Sequence, residues 1–116
     1  MATMGYFAVT REAGPAWTDG QGITAQPRLE QHAAFMDTLA GTGFVLFAGP
    51  LSGTEKGRLR ALLIVDADNE TEIRQRLADD PWALSGHLRT AGIEPWNLFV
   101  GAERINTLSG QAPARH

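Results

Sequence analysis

The sequence contains no cysteine among its 116 residues. That absence excludes disulfide bonds, thiolate metal sites and a cysteine nucleophile, and it suits a reducing cytoplasm, where we expect this chain. A basic stripe is also missing, because ten Lys and Arg side chains stand against thirteen Asp and Glu, for a net charge of −3. We therefore expect no nucleic-acid partner.

Long apolar runs are absent as well. No stretch reaches the roughly 18 apolar residues that cross a bilayer, so we expect no membrane contact. The first ten residues have neither a basic segment nor a long apolar one, and so do not resemble a signal peptide. What remains is an ordinary globular composition, 43% hydrophobic and 20% charged, whose length predicts one domain.

Local patterns predict four strands and three helices. Strands are expected at Met4–Thr10, Gly43–Ala48, Leu59–Val65 and Ile93–Val100, and helices at Pro27–Ala40, from Asn69, and from Pro81 to about Thr90. The continuous apolar run of the third strand suits a central position. Asn69 and Glu72 form a start like a capping box, and Pro95 indicates an edge strand or a bulge.

The element order β-α-β-β-α-(α)-β is typical of ferredoxin-like α+β domains. It predicts a four-stranded antiparallel sheet with its helices on one face, over residues 1–101, followed by a tail at 102–116. The other face of the sheet must be covered, and a second copy of the chain would cover it. We therefore expect a homodimer.

A long surface loop is predicted from Arg11 to Thr24, because it is rich in Gly, Pro and Asp-Gly turn formers. Loops of this length are often lids or binding loops. Trp17, near the middle, either closes over a ligand or pins the loop to the body of the domain. Together with Tyr6 of the first strand, it is a candidate for the lining of a binding pocket.

Asp80 is the residue on which the functional interpretation depends. Proline disfavours helical geometry in the residue before it and is itself suited to the first helical position, so Asp80 is expected to cap the helix that begins at Pro81. A carboxylate held in this way is either a structural cap or the fixed half of an acid–base pair.

His32 falls within the apolar stripe of the first long helix, between Leu39 and Met36. An imidazole on a core-facing arc needs a hydrogen-bond partner. It is either a satisfied core histidine or a general base oriented by a carboxylate, and Asp80 is the natural candidate for that carboxylate. Arg28, one turn earlier, either binds an anionic group or lies solvated over apolar surface.

Other chemistry has little support. The three histidines lack the spacing of metal ligands, so no metal site is expected. No cofactor is required by the sequence, and a dinucleotide fingerprint is excluded because Gly41-Thr42-Gly43 precedes a strand and has no third glycine.

Four short motifs in order resemble the YciI-like (YCII-related) domain family. They are His32 on the first helix, Gly49-Pro50 closing the second strand, Asp80-Pro81-Trp82 followed by Gly86, and Pro95-Trp96 in the last strand. The resemblance covers roughly Gly5 to Gly101. In one departure, Leu29 stands where the family often has arginine, and Arg28 lies one position earlier.

The resemblance implies a ferredoxin-like fold that dimerises through its sheets in the manner of dimeric α/β-barrels. It also implies a cleft lined by a histidine and an aspartate, here His32 and Asp80, as catalytic residues. One branch of the family includes a dehydrochlorinase acting on a chlorinated hydroxyhydroquinone. The candidate substrate-binding residues are Tyr6, Trp17, Arg28, Gly49, Pro50 and Trp82.

Two functions remain open from the sequence. The first is a small-molecule enzyme of lyase, isomerase or dehydrochlorinase type, in which His32 moves a proton and Asp80 fixes its tautomer. The second is a non-catalytic dimeric module that binds a small ligand or serves a partner protein, because one fold hosts many functions.

Overall fold

The computed structural model describes residues 5–54 and 58–105, and its elements follow the predicted order. The main strands and helices are β1 (Gly5–Ala13), α1 (Leu29–Gly41), β2 (Val45–Pro50), β3 (Arg60–Ala67), α2 (Glu70–Ala78), α3 (Pro81–Leu84) and β4 (Leu88–Pro95). They form a single four-stranded sheet in the order β2-β3-β1-β4, with antiparallel neighbours. The interior position of β3 and the edge position of β4 are those predicted from the apolar run and from Pro95.

The helices pack on one face of the sheet. Val9 of β1 lies in a core cluster with Leu39 of α1 and Ile73 of α2. Successive strand side chains point to opposite faces, so Arg11, two residues on, faces the same side as Val9. It is buried there, whereas Tyr6 faces the opposite side of the sheet.

A second, smaller core lies at the end of β1. Trp17 and Trp82 are its largest members, and they pack with Ala13, Leu59 and Leu88. The two indole rings meet edge to face, with centroids 5.5 Å apart and planes at 80°. This cluster joins the segment after β1 to α3, and it supports the residues on which the candidate site depends.

The capping interactions of α2 are those predicted. The Asn69 side chain accepts a hydrogen bond from the Glu72 N–H at 2.9 Å. The Glu72 carboxylate in turn accepts from the N–H of Asp68, at 2.8 Å. The first bond satisfies a backbone donor that the first turn of a helix leaves without an intrahelical partner, and the second fixes the chain just before the cap.

The helix at Pro81 is much shorter than predicted. It ends at Leu84 instead of continuing to about Thr90, because the chain reverses at Gly86, whose φ is +82°. The last strand accordingly spans Leu88–Pro95, not Ile93–Val100. Its first residues pair with Arg11–Ala13, which belong to β1 and not to the loop that was predicted to begin at Arg11.

The segment after β1 docks tightly on the turn between α3 and β4. The Gly14 and Ala16 N–H groups donate to the carbonyls of His87 and Gly86, at 2.8 and 2.9 Å. A Cβ atom on Gly14 would lie 2.4 Å from the Gly86 carbonyl oxygen. Only glycine therefore fits at this contact between two stretches of backbone.

Most of the predicted tail, residues 106–116, lies outside the described residues. Within the described part of the chain, no helix is long and apolar enough to span a membrane.

Candidate acid–base site

Asp80 lies at the junction of α2 and α3 and has no solvent-exposed surface. Its backbone is extended, with φ −59° and ψ 128°, as expected before proline. One carboxylate oxygen accepts a hydrogen bond from the Trp82 N–H at 2.9 Å, so Asp80 caps α3 as predicted. The cap holds the carboxylate rigidly in the interior.

His32 reaches this carboxylate from α1. Its Nδ1 atom lies 2.9 Å from both Asp80 oxygens. The imidazole ring stacks on the Trp82 indole, with centroids 4.1 Å apart and an interplanar angle of 10°. An ionised carboxylate only accepts hydrogen bonds, so the proton of a neutral His32 belongs on Nδ1. The other ring nitrogen, Nε2, then carries a lone pair.

Arg11 is the third member of the cluster, and the sequence analysis missed it. Its Nη1 donates to Asp80 Oδ2 at 2.7 Å, and its side chain is only 1% exposed. The Nε atom is buried without a hydrogen-bond partner. The sequence does contain a signal for it. Val9, Arg11 and Ala13 alternate along β1, so all three side chains point to the same inward face although Arg11 is charged.

The charges of the cluster support one another. Burial alone raises the pKa of Asp80, but hydrogen bonds from His32, Arg11 and the Trp82 backbone outweigh it and hold the pKa below its usual value. Burial lowers the pKa of Arg11, and Asp80 opposes that shift. The ionised carboxylate is thus the form that the site stabilises.

A cavity of about 180 Å³ opens beside His32 between α1 and the sheet. Apart from Arg11 and His32, its lining is apolar or glycine: Ile23, Met36, Ala48, Gly49, Pro50, Leu59, Ala61, Leu63, Trp82 and Leu88. The cleft therefore offers a small, largely apolar space with one imidazole and one guanidinium on its wall.

The structure brings five of the eight candidate residues together. His32 and Asp80 are in contact, and Gly49, Pro50 and Trp82 share the cavity wall with His32.

The other three candidates do not line this cavity. Tyr6 projects from the opposite face of the sheet, as strand alternation requires. Trp17 is 4% exposed and packs on Trp82, so it pins the segment after β1 to the body, and Ile23 of that segment reaches the cavity instead. Arg28 is exposed at the N-cap of α1, with φ +64°.

No cluster of three or more metal-ligating side chains occurs within residues 5–54 and 58–105. The polar groups that the described site does contain are suited to proton transfer and to hydrogen bonding with a small ligand.

Comparisons with known proteins agree with this architecture. The model of the YCII-related domain family matches residues 7–97. A similar solved structure is a 5-chloro-2-hydroxyhydroquinone dehydrochlorinase from Burkholderia phenoliruptrix AC1100, in complex with 2,5-dihydroxybenzoquinone. It is 21% identical, the match covers 79% of this chain and 93% of that chain, and the TM-score is 0.55.

A second similar structure is an uncharacterized protein from Thermotoga maritima. It is 11% identical, with 82% of this chain and 100% of that chain covered and a TM-score of 0.50. At these identities the two structures support the fold alone. No curated protein matches the sequence significantly.

Proposed function

The chain belongs to the YCII-related domain family, and from that premise we propose that it is a small-molecule enzyme in which His32 acts as the general acid–base. Asp80 orients the imidazole and stabilises the imidazolium. The reaction is of lyase or isomerase type: a proton leaves the substrate, and then either a leaving group departs or a proton returns at another atom. No cofactor takes part.

One observation carries this proposal. A fully buried carboxylate binds Nδ1 of His32 at 2.9 Å, and the ring stands at the wall of a cavity. A carboxylate on one ring nitrogen fixes the tautomer, which leaves the lone pair of the other nitrogen available to accept a proton. A histidine that served packing alone would not require an open cleft beside it.

The size of the cleft supports a substrate with a single ring. An apolar protein cavity of roughly 150 Å³ accommodates benzene, and the cleft here is about 180 Å³. The similar dehydrochlorinase acts on a chlorinated hydroxyhydroquinone, which is a single-ring compound. We propose small enolisable or hydroxylated ring compounds as the substrate class, and we take this class from the cavity and the dyad together.

The proton transfer balances without further reagents. The C–H bond of the substrate breaks, and its proton forms an N–H bond at Nε2 of His32. The electron pair then either forms a double bond as a leaving group departs with its own pair, or moves to a conjugated oxygen as an enolate. A positioned acid–base group contributes typically 10²–10⁴-fold to such steps.

The test combines turnover and binding. Purified protein is incubated with 5-chloro-2-hydroxyhydroquinone and a panel of enolisable ring compounds and lactones, while chloride release and absorbance are followed. We expect His32→Gln and Asp80→Asn to lower turnover by about 10²–10⁴-fold. Calorimetry with 2,5-dihydroxybenzoquinone should show retained binding in both variants. Asp79→Asn, a change at the exposed neighbouring aspartate, is the matched control and should leave turnover unchanged.

Wild-type turnover in His32→Gln would refute the catalytic role. Binding without turnover across the whole panel would favour the alternative, a non-catalytic small-ligand-binding module.

We further propose that the protein is a homodimer whose subunits meet through the sheet face opposite the helices. Phe47 of β2 pairs with Ile64 of β3, and strand alternation places both on that face. Phe47 is 48% exposed. It is a residue that a second copy would cover if the subunits met through this face.

A further inference from the structure

Arg11 has one donor engaged and another unused. Its Nη1 binds Asp80, while its Nε has no partner although the side chain is 1% exposed. Arginine and a carboxylate commonly form two parallel hydrogen bonds. Here the carboxylate also accepts from His32 and from the Trp82 N–H, and its bond with Arg11 is single. The guanidinium thus retains an unsatisfied N–H group.

An unsatisfied buried donor is destabilising, so its persistence calls for an explanation. Arg11 stands on the wall of the same cavity as His32. Nε itself has almost no accessible surface, so a ligand oxygen in that cavity would bind this donor after a small rotation of the Arg11 side chain. The apolar character of the remaining wall strengthens any such hydrogen bond, because little water competes with it.

The charge balance of the site indicates which kind of ligand oxygen Arg11 would bind. Arg11 and Asp80 neutralise each other, so the cluster is neutral while His32 is neutral. Transfer of a proton to His32 gives the cluster a charge of +1. A negative charge on the ligand, formed in the same step, restores neutrality within the buried site.

We propose that the guanidinium of Arg11 donates a hydrogen bond to the substrate oxygen that becomes negatively charged as His32 removes a proton. The substrate class is a small ring compound that carries either an acidic C–H bond conjugated to a carbonyl oxygen or an acidic O–H bond on the ring. The proton moves to Nε2 of His32. The electron pair of a broken C–H bond moves to the conjugated carbonyl oxygen as an enolate, whereas the pair of a broken O–H bond stays on its own oxygen as a phenolate. This inference rests on the proposed function and adds to it a residue and a substrate class.

The experiment measures anion binding without turnover. The affinity of 4-nitrophenol is determined by absorbance titration above the pKa of the free compound, where it is a phenolate. Nitrobenzene, which has nearly the same shape and no charge, is the matched probe for the apolar cavity. We expect Arg11→Met to weaken phenolate binding at least tenfold, with less than a twofold change for nitrobenzene.

Arg11→Lys covers the case in which Arg11→Met fails to fold. Lysine keeps a positive charge for Asp80 but lacks the planar guanidinium with its second donor. It should weaken phenolate binding at least fivefold relative to nitrobenzene. Phenolate binding involves no turnover, so its loss in the Arg11 variants is independent of whether His32 catalyses a reaction.

Three results would overturn the inference. In the first, wild type and both Arg11 variants bind the phenolate with equal affinity. In the second, the Arg11 variants bind the phenolate and nitrobenzene more weakly by the same factor. In the third, the wild-type protein does not bind the phenolate, whether or not it binds nitrobenzene. In the first two cases Arg11 would be a positioning residue for Asp80.

Discussion

Removing the charge from Asp80 should destabilise the folded protein strongly near neutral pH and progressively less as the pH falls below the unfolded-state pKa of aspartate. Asp80→Asn is the appropriate change because asparagine is as good a helix cap as aspartate. The substitution therefore keeps the cap on Trp82 and removes the negative charge that lies against His32 and against the almost fully buried Arg11.

The magnitude follows from the burial of the pair. Breaking a buried ion pair by removing one partner costs about 3–5 kcal/mol, because the other charge is left without compensation. For a domain of this length that corresponds to a fall of roughly 10–20 °C in the melting temperature. Exposed Asp79 is the matched control, and Asp79→Asn should change stability by about 0.5 kcal/mol or less.

The pH dependence has a definite sign. The pKa of Asp80 is lowered in the folded protein, so its contribution is fully present above the unfolded-state pKa of about 3.9. It is lost as the pH falls through the folded value. Protonated Asp80 resembles asparagine, so the wild type and Asp80→Asn should converge in stability at low pH.

Urea unfolding followed by tryptophan fluorescence gives the free energy of unfolding, since Trp17 and Trp82 are buried in the folded protein. Free energies of unfolding for the wild type and both variants are compared near neutral pH and at about pH 3. The reasoning is refuted if Asp80→Asn matches Asp79→Asn near neutral pH. It is equally refuted if the gap between the wild type and Asp80→Asn stays constant on acidification.

Two further predictions follow from packing. Gly14→Ala should destabilise the protein by more than about 2 kcal/mol in thermal unfolding, because the new Cβ would meet the Gly86 carbonyl oxygen at 2.4 Å. Gly41→Ala, where nothing lies within 4 Å, should stabilise it by about 0.4–1 kcal/mol, and equal effects of the two changes would contradict this argument. Phe47→Glu should convert the proposed dimer to a monomer in light scattering, whereas a monomeric wild type would refute that interface.

The sequence was sufficient for those features that local rules determine. The apolar run of the third strand placed it inside the sheet, and the Asn69 cap began α2 where predicted. Pro81 indicated the cap at Asp80. Helical phase put His32 on an inward arc, and the resemblance to the family paired it with Asp80. Each of these patterns involves residues that are close together in the sequence, so each can be recognised without a structure.

The predictions that were wrong concern features that are determined by contacts between residues far apart in the chain. Arg11 was assigned to a loop because turn formers follow it from Gly14 onward, and its partner Asp80 lies 69 residues away. The helix from Pro81 was extended too far, because the sequence analysis did not recognise Ser85-Gly86 as the turn that ends it and because the pairing of Leu88 with Ala13 joins distant residues. The sequence leaves the orientation of Trp17 open, and its contact with Trp82 depends on residues far away in the chain.

The position of β1 in the sheet has a consequence for how the chain folds as it is synthesised. β1 emerges first, but both of its neighbours, β3 and β4, are made later. Arg11 and His32 likewise leave the ribosome well before Asp80, which follows them by 69 and 48 residues. Until α3 has emerged, a collapsed nascent chain would bury the Arg11 guanidinium without its counter-ion. Packing of the helices against the face of β1 that carries Arg11 should therefore occur only after α3 has been synthesised. Assembly of the Arg11, His32 and Asp80 cluster would complete that packing.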